Sequence, residues 1–229
     1  MSEEINDMFS RIAGRYDLLN DLLSFGIHRL WKKKTVKMSE IKPGSRVLDC
    51  ASGTGDLAIE FKKMSGIKGF VLATDFNPEM LSYAEKKFKK KNYKIDIEVA
   101  DVLNLRFEDN SFDIASIGFG IRNVDSVQRC LEEMARVVKS GGKVLVLEFG
   151  QPQGLFSLFY NFYSRYIIPI IGKLIDGNSF AYKYLHESSA KFPCREHFTQ
   201  IMESTGNFTS IRYYPLTFGI AYLYIGKVR

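Results

Sequence analysis

A chain of 229 residues, 45% hydrophobic and 25% charged, suits one α/β domain with decoration that buries roughly 70% of its unfolded surface. The net charge of +6 and pI near 9.1 favour anionic surfaces, whether nucleic acid or an anionic membrane face, without choosing between them. Cys50, Cys130 and Cys194 are odd in number and lack metal-ligand spacing, which argues against a disulfide framework or a metal centre and predicts free thiols in a reducing compartment.

The opening Met1-Ser2-Glu3-Glu4 is acidic and precedes no long apolar core, so it is not read as a secretory leader and the expected location is cytoplasmic. Residues 1–42 read as a cap of short helices: Ile5, Met8, Phe9 and Ile12 fall at helical spacing, and Asn20 or Ser24 offers a cap to the next helix. Tyr16 to Asn20 and Ser24 to Trp31 set polar groups among apolar ones. On residue chemistry alone, Tyr16 and Trp31 read as core and His28 as a helix cap.

Residues 43–150 carry the rhythm of a doubly wound sheet. Val47 and Leu48 open a buried strand that Asp49 closes, and the turn Cys50-Ala51-Ser52-Gly53-Thr54-Gly55 leads to a helix from Asp56 to about Lys63. Gly53 and Gly55 can take positive φ and lack a Cβ, so a nucleotide-like ligand can lie on the main chain there. About twenty residues on, Val71 to Asp75 reads as a second strand whose terminal acid is the candidate ribose clamp. Leu57 to Glu60 supply no third glycine, so the pyrophosphate of NAD is poorly served and an adenosine ligand without one fits better.

Asn77-Pro78-Glu79 is a helix start, with cap, first-turn proline and acid in order. That helix ends in the lysine-rich run 86–91, read as a solvated surface rather than a nucleic-acid patch. Ile95 to Asp101 alternates as a third strand and places Asp101 and Val102 beside the ligand's base, the acid accepting an exocyclic amine. Ser111 to Ile117 is the fourth strand. The loop Gly118 to Asn123 comes next, with Arg122 and Asn123 facing a substrate, then a helix over 125–138 and a fifth strand from Lys143 to Glu148.

Residues 151–192 hold late aromatics without strand signals and read as a helical substrate cover, including Tyr182 to Ser188. Leu155 to Ile175 is apolar, but Asn161, Arg165, Pro169 and Lys173 interrupt it, so it reads as amphipathic rather than as a span. Residues 193–229 supply a helix near Glu196 to Ser204 and two strands, 208–214 and 218–227, joined through Tyr213 to Gly219. No internal repeat is visible.

From about Met8 to Lys227 the chain resembles the ubiquinone/menaquinone biosynthesis C-methyltransferases. The specific marks are Tyr16-Asp17, Asn20, Ser24, His28 and Trp31, then Phe119-Gly120-Ile121-Arg122-Asn123-Val124, Arg136 to Lys139, Leu147-Glu148-Phe149, Tyr184-Leu185 and Glu187-Ser188. The resemblance reassigns the amino-terminal motif from packing to function. It implies a class I S-adenosylmethionine-dependent methyltransferase fold, Rossmann-like, with a seven-stranded, mostly parallel sheet whose last strand is antiparallel. Donor contacts carry over to Gly53, Thr54, Gly55, Asp75, Asp101, Val102 and Gly118. Departures are Ser52, Gly118, Ser140 and Gly150, where the family favours glycine or cysteine, serine, proline and serine.

The implied reaction moves a methyl group from S-adenosylmethionine to a ring carbon of a polyprenylated quinol, demethylmenaquinol or a 2-methoxy-6-polyprenyl-1,4-benzoquinol. A sulfonium methyl is already electrophilic, so no metal is expected, and the protein must supply alignment and ionisation of a ring hydroxyl of pKa ~10. Arg122 is placed to stabilise the phenolate, with His28, Tyr16 and His186 as proton acceptors or relays. The apolar cover fits a prenyl tail and peripheral contact with the inner face of a membrane; a homodimer is compatible with the composition. Nucleic acid is not expected as a partner: no Asn-Pro-Pro-Tyr or Asp-Pro-Pro-Tyr stretch comes after the fourth strand, and Pro193-Cys194 comes too late for a pyrimidine nucleophile. Methylation of another small molecule or lipid on the same fold is the alternative, then RNA methylation and a non-catalytic binding module.

Overall fold

The computed structural model describes residues 3–167, 170 and 180–229. A seven-stranded sheet in the order β3-β2-β1-β4-β5-β7-β6 forms the middle layer, with β7 antiparallel to both neighbours and the pairs among β1 to β5 parallel. The strands are β1 (Arg46–Cys50), β2 (Phe70–Asp75), β3 (Asp96–Val99), β4 (Phe112–Gly118), β5 (Val138–Phe149), β6 (Phe208–Leu216) and β7 (Ala221–Val228).

Alternation along the central strands divides the core in two. Leu48, Cys50, Val144 and Val146 face the layer built by α6 (Val127–Val137) and α9 (Glu196–Ser204), where Leu131, Met134, Phe198 and Met202 are fully buried. Val47, Leu145 and Leu147 face α3 (Ile27–Met38), α4 (Asp56–Ser65) and α5 (Pro78–Lys90), through Trp31, Phe61 and Phe88. Burying each of these large side chains contributes about 1.5–3 kcal/mol. Helix α5 starts as its sequence dictates: Asn77 accepts the Met80 N–H at 3.0 Å and Pro78 sits at the first position.

Helices α1 (Glu3–Ile12), α2 (Tyr16–Ser24) and α3 form the amino-terminal cap. The cover contains α7 (Leu155–Phe162), a π turn over Tyr163–Ile167 and α8 (Phe180–Lys191); much of the segment between the π turn and α8 lies outside the described residues. Among the described residues no helix is long and apolar enough to cross a membrane. All three cysteines are free and buried.

Four boundaries differ from expectation, the first being that of β5, which begins at Val138 instead of Lys143 because Val138 pairs with Phe112 of β4. Strand β3 ends at Val99 because Asp101 turns the chain, its Oδ1 accepting the Leu103 N–H at 2.9 Å and its carbonyl the Asn104 N–H at 3.0 Å. Asp101 and Val102 therefore lie in a loop. The helix expected over 125–138 starts at Val127, capped by Ser126, whose hydroxyl accepts the Arg129 N–H at 3.2 Å. Tyr213 to Leu216, expected as connection, pair with Tyr224 to Ala221 of β7, so the link is the 3-10 turn Thr217–Gly219. The pairing wins because Leu216 is buried by it.

Candidate active site

The turn after β1 holds two glycines with different jobs. Gly53 (φ +58) is open: a Cβ there would meet nothing nearer than Met80 Cε at 3.6 Å, so its face is free for a ligand. Gly55 (φ +80) is a packing glycine instead, because a Cβ would lie 2.3 Å from the Phe88 ring of α5. The expectation that both glycines serve ligand approach is corrected at Gly55. Gly118 has room for a Cβ only if Leu57 Cδ2, 3.2 Å away, gives, and at Gly150 a Cβ would collide with the Tyr222 ring at 2.4 Å. Both departures from the resembled pattern thus have steric causes in this chain.

The acids at the strand ends are set by their surroundings. Asp75 accepts the Gly53 N–H at 2.8 Å through Oδ2 and the Asn77 N–H at 2.9 Å through Oδ1, and burial raises its pKa. Asp49 is 1% exposed and accepts from Ser52 Oγ at 2.6 Å and Ser116 Oγ at 2.7 Å; burial pushes it up to about 6. A small cavity of about 80 Å³ opens here, lined by Gly53, Asp75, Met80, Asp101, Val102 and Gly118, and roofed by Phe9 and Tyr16 of the cap. Thr54 also comes to the site, but its hydroxyl donates to Asp17 Oδ1 at 2.5 Å.

A larger cavity of about 450 Å³ adjoins it, and Tyr16, Gly53, Gly118 and Phe119 border both. His28 and Trp31 of α3, Arg122 after β4, and Tyr160, Tyr184 and His186 of the cover line it. Arg122 is held rigidly. Its Nη1 donates to Glu148 Oε1 at 2.9 Å and to the Phe119 carbonyl, its Nε to Ser188 Oγ at 3.3 Å, and its guanidinium lies 5.4 Å from the Phe149 ring centroid. Glu148 is fully buried and also accepts the Phe149 N–H at 2.8 Å; burial raises its pKa while the guanidinium opposes. Asn123 accepts the Tyr184 hydroxyl at 2.7 Å, so the 121–123 turn holds the cover helix at two points.

Burial raises the phenols of Tyr16 and Tyr184, and that of Tyr160 to about 12, keeping them protonated near neutrality. Burial lowers His28, helped by the Lys32 charge, and leaves a neutral imidazole whose Nε2 meets Asp21 Oδ1 at 2.8 Å. Tyr16, His28 and Arg122, the catalytic candidates of the sequence reading, all line this one cavity.

The cap is fastened by polar links that the sequence reading missed. Lys87 of α5 pairs with Asp17 and, at 2.9 Å, with Asp56, which Lys32 also reaches at 2.9 Å; the two lysines hold Asp56 well below the usual carboxylate range. Trp31 Nε1 donates to Thr217 Oγ1 at 2.9 Å. Asn77 Nδ2 reaches the Asn6 carbonyl at 3.0 Å and Ser10 Oγ at 2.8 Å, so α1 closes over the end of β2. The only sequence signal for these was the polarity of Tyr16 to Asn20 and Ser24 to Trp31 among apolar neighbours.

Residues 1–227 match the model of the ubiE/COQ5 methyltransferase family. A Bdellovibrio bacteriovorus protein named ubiquinone/menaquinone biosynthesis C-methyltransferase UbiE is 54% identical over 99% of this chain and 97% of its own. Its namesake from Teredinibacter turnerae is 42% identical over 98% and 91%. Among solved structures, a Thermotoga maritima S-adenosylmethionine-dependent methyltransferase, described as a possible histamine N-methyltransferase, superposes with a TM-score of 0.68 at 20% identity, covering 97% of this chain and 99% of that one. An Aquifex aeolicus methyltransferase gives 0.62 at 20% identity over 86% and 89%. These likenesses to solved structures establish the fold, that of the class I methyltransferases.

Proposed function

The chain belongs to the ubiE/COQ5 methyltransferase family, and from that premise we propose that it transfers a methyl group from S-adenosylmethionine to a ring carbon of a polyprenylated quinol, as in forming menaquinol from demethylmenaquinol. The observation that carries this reading is the adjoining pair of cavities: a small one with acids at strand ends, and a large aromatic one containing a buried guanidinium, meeting at Gly53 and Tyr16.

The small cavity presents the groups that an adenosine calls for, and the rest of the donor extends past Gly53 and Gly118 into the larger one. Gly53 leaves its face open, Asp75 is oriented by two main-chain N–H groups for ribose hydroxyls, and Asp101 with Val102 flanks the base. Thr54 and Gly118 complete the donor set, and Gly55 supports it by letting α5 pack. When bound, the donor supplies an electrophilic methyl on a sulfonium. The chain's residues must exclude water, orient the ring and stabilise its phenolate.

Arg122 stabilises the phenolate, because a fixed cation in a poorly hydrated site lowers the pKa of a nearby phenol. Tyr16, kept protonated, donates to the ring oxygen rather than accepting its proton, which leaves His28 and His186 as acceptors. Arg122→Gln is expected to lower kcat about 100-fold with donor affinity within about twofold; a fall in donor affinity alone removes Arg122 from this role.

Exposed Leu18 and Leu22 lie along one face of α2 with exposed Phe25 just past its end, and exposed Leu158, Phe162, Tyr166 and Ile170 recur every four residues across the cover. The two rows meet where Phe25 and Tyr163 stand 5.9 Å apart beside the large cavity. This surface supports peripheral contact with a bilayer that delivers the prenyl tail to the cavity mouth.

The test is transfer of labelled methyl by the purified protein under anaerobic conditions to demethylmenaquinol, to a methoxy-polyprenylbenzoquinol and to bulk RNA. Label on a ring carbon of either quinol establishes the reaction and its preferred ring. Label on RNA only, or donor binding without quinol transfer, rejects the substrate.

A further inference from the structure

Three buried side-chain polar atoms among the described residues have no hydrogen-bond partner, and two of them belong to residues lining the large cavity: His28 Nδ1 and Ser189 Oγ. An unpaired buried polar atom costs about 1–3 kcal/mol; neither atom has open surface, but each residue borders the cavity, where a ligand's polar group can pair with it. The histidine is the more informative. The residue is 4% exposed, and its Nε2 meets Asp21 Oδ1 at 2.8 Å.

We propose that Asp21 is a positioning residue for quinol deprotonation: by accepting the Nε2 proton of His28 it fixes the tautomer whose Nδ1 carries a lone pair, and that nitrogen receives the ring hydroxyl proton. The inference rests on the quinol reading and selects His28 over His186 as the acceptor. The O–H bond breaks with its electron pair left on oxygen, and the proton binds Nδ1. The phenolate's ring carbon then bonds the methyl carbon as the carbon–sulfur bond electrons pass to sulfur. The methylated ring carbon loses its hydrogen as a proton to water while His28 returns its proton to the oxygen, so one proton is released per turnover.

Asp21 is well placed for this. It lies on α2, one turn beyond Tyr16 and Asp17, while His28 opens α3, and the left-handed pair Phe25 (φ 49) and Gly26 (φ 73) folds one helix back on the other. Arg29, 63% exposed at its side chain, also donates to this carboxylate from the solvent side, its Nε to Oδ1 at 2.7 Å and its Nη2 to Oδ2, a surface contact of little worth in water. The charged groups acting on His28 are Asp21 from α2, Lys32 from α3 and Asp56 from α4. Lys32 lowers its pKa, whereas both acids raise it; burial dominates and keeps the base neutral.

The experiment compares the pH dependence of kcat on demethylmenaquinol in the wild type, Asp21→Ala and Arg29→Ala. Removing Asp21 removes an influence that raises the His28 pKa, so the acid limb is expected to move about one pH unit lower while the plateau falls 10- to 100-fold and donor affinity stays within about twofold. Arg29→Ala keeps the Asp21–His28 contact and is expected to retain the plateau within about threefold. A loss of kcat with the limb unmoved, or an equal loss in Arg29→Ala, would reduce Asp21 to a packing role and overturn the proposal. If Asp21→Ala does not fold, long-range proton–nitrogen NMR of the wild type decides: an unprotonated Nδ1 in His28 supports the proposal, and a protonated one refutes it. Wild-type turnover on the quinol tests the functional reading separately, since its absence leaves no limb to compare.

Discussion

Replacing Glu148 by glutamine isolates the worth of the ion pair under the large cavity. Arg122 is 5% exposed at its side chain and Glu148 0%, so the variant leaves a buried cation without its counter-charge. Removing one partner of such a pair costs ~3–5 kcal/mol. Glutamine keeps an oxygen where Oε1 accepts from Arg122 Nη1 at 2.9 Å and from the Phe149 N–H at 2.8 Å, but turns amide hydrogens toward the Arg122 N–H, which now faces Oε2 at 3.4 Å. The retained bonds place the expected loss near the lower end, about 3 kcal/mol. With a urea m-value of roughly 3 kcal/mol/M, the unfolding midpoint falls by about 1 M. The assay is equilibrium unfolding at pH 7.5, monitored by circular dichroism and by fluorescence of Trp31, the chain's one tryptophan. Adding Arg122→Met removes the stranded cation, so the double variant is expected to recover most of the loss. A midpoint within about 0.2 M of wild type for the single variant, or a double variant less stable than the single, would show that the pair does not work as argued.

Other substitutions separate packing from chemistry. Asp49, raised to about 6 by burial against about 3.9 unfolded, binds a proton more tightly in the native state, so its contribution is full below pH ~4 and is lost as pH rises through about 6. Stability of Asp49→Asn relative to wild type is therefore expected to rise by about 3 kcal/mol between pH 4 and 7, and parallel urea stability curves would contradict this. Gly55→Ala, facing the Phe88 ring at 2.3 Å, is expected to lower Tm by 5 °C or more at about 2–4 °C per kcal/mol, whereas Gly53→Ala costs about 1 kcal/mol and shows its main loss in donor titration calorimetry. Equal Tm losses in the two would remove the distinction. Leu22→Glu with Phe162→Glu, both exposed, is expected to abolish co-flotation with anionic liposomes while turnover of a short-chain quinol persists; undiminished flotation would exclude this surface as the contact.

Elements governed by local rules were legible in the sequence. The apolar runs of β1, β2 and β4, the Asn77-Pro78 helix start and the glycine turn each stand where side-chain alternation and turn chemistry put them. Asp75 was legible for the same reason, as an acid at the end of a buried strand. Gly55 was misread because its steric neighbour, Phe88, lies thirty-three positions away across a helix interface that periodicity does not encode. Long-range polar links were equally hidden: Trp31 and Thr217 are 186 positions apart, and Asp17 meets Lys87 only after the cap folds back. The family resemblance supplied the cavity's membership without these partners, since a motif records residues rather than the contacts that orient them.

The cap roofs both cavities at once, with Tyr16 and Phe9 bordering each and the Asp17–Thr54 bond tying that roof to the glycine turn. A quinol seated under the same helices is expected to block exchange at the smaller site, so binding is expected to be ordered, with S-adenosylmethionine entering first and S-adenosylhomocysteine leaving last. Product inhibition by S-adenosylhomocysteine that is competitive with the donor but not with the quinol is the pattern this shared roof predicts.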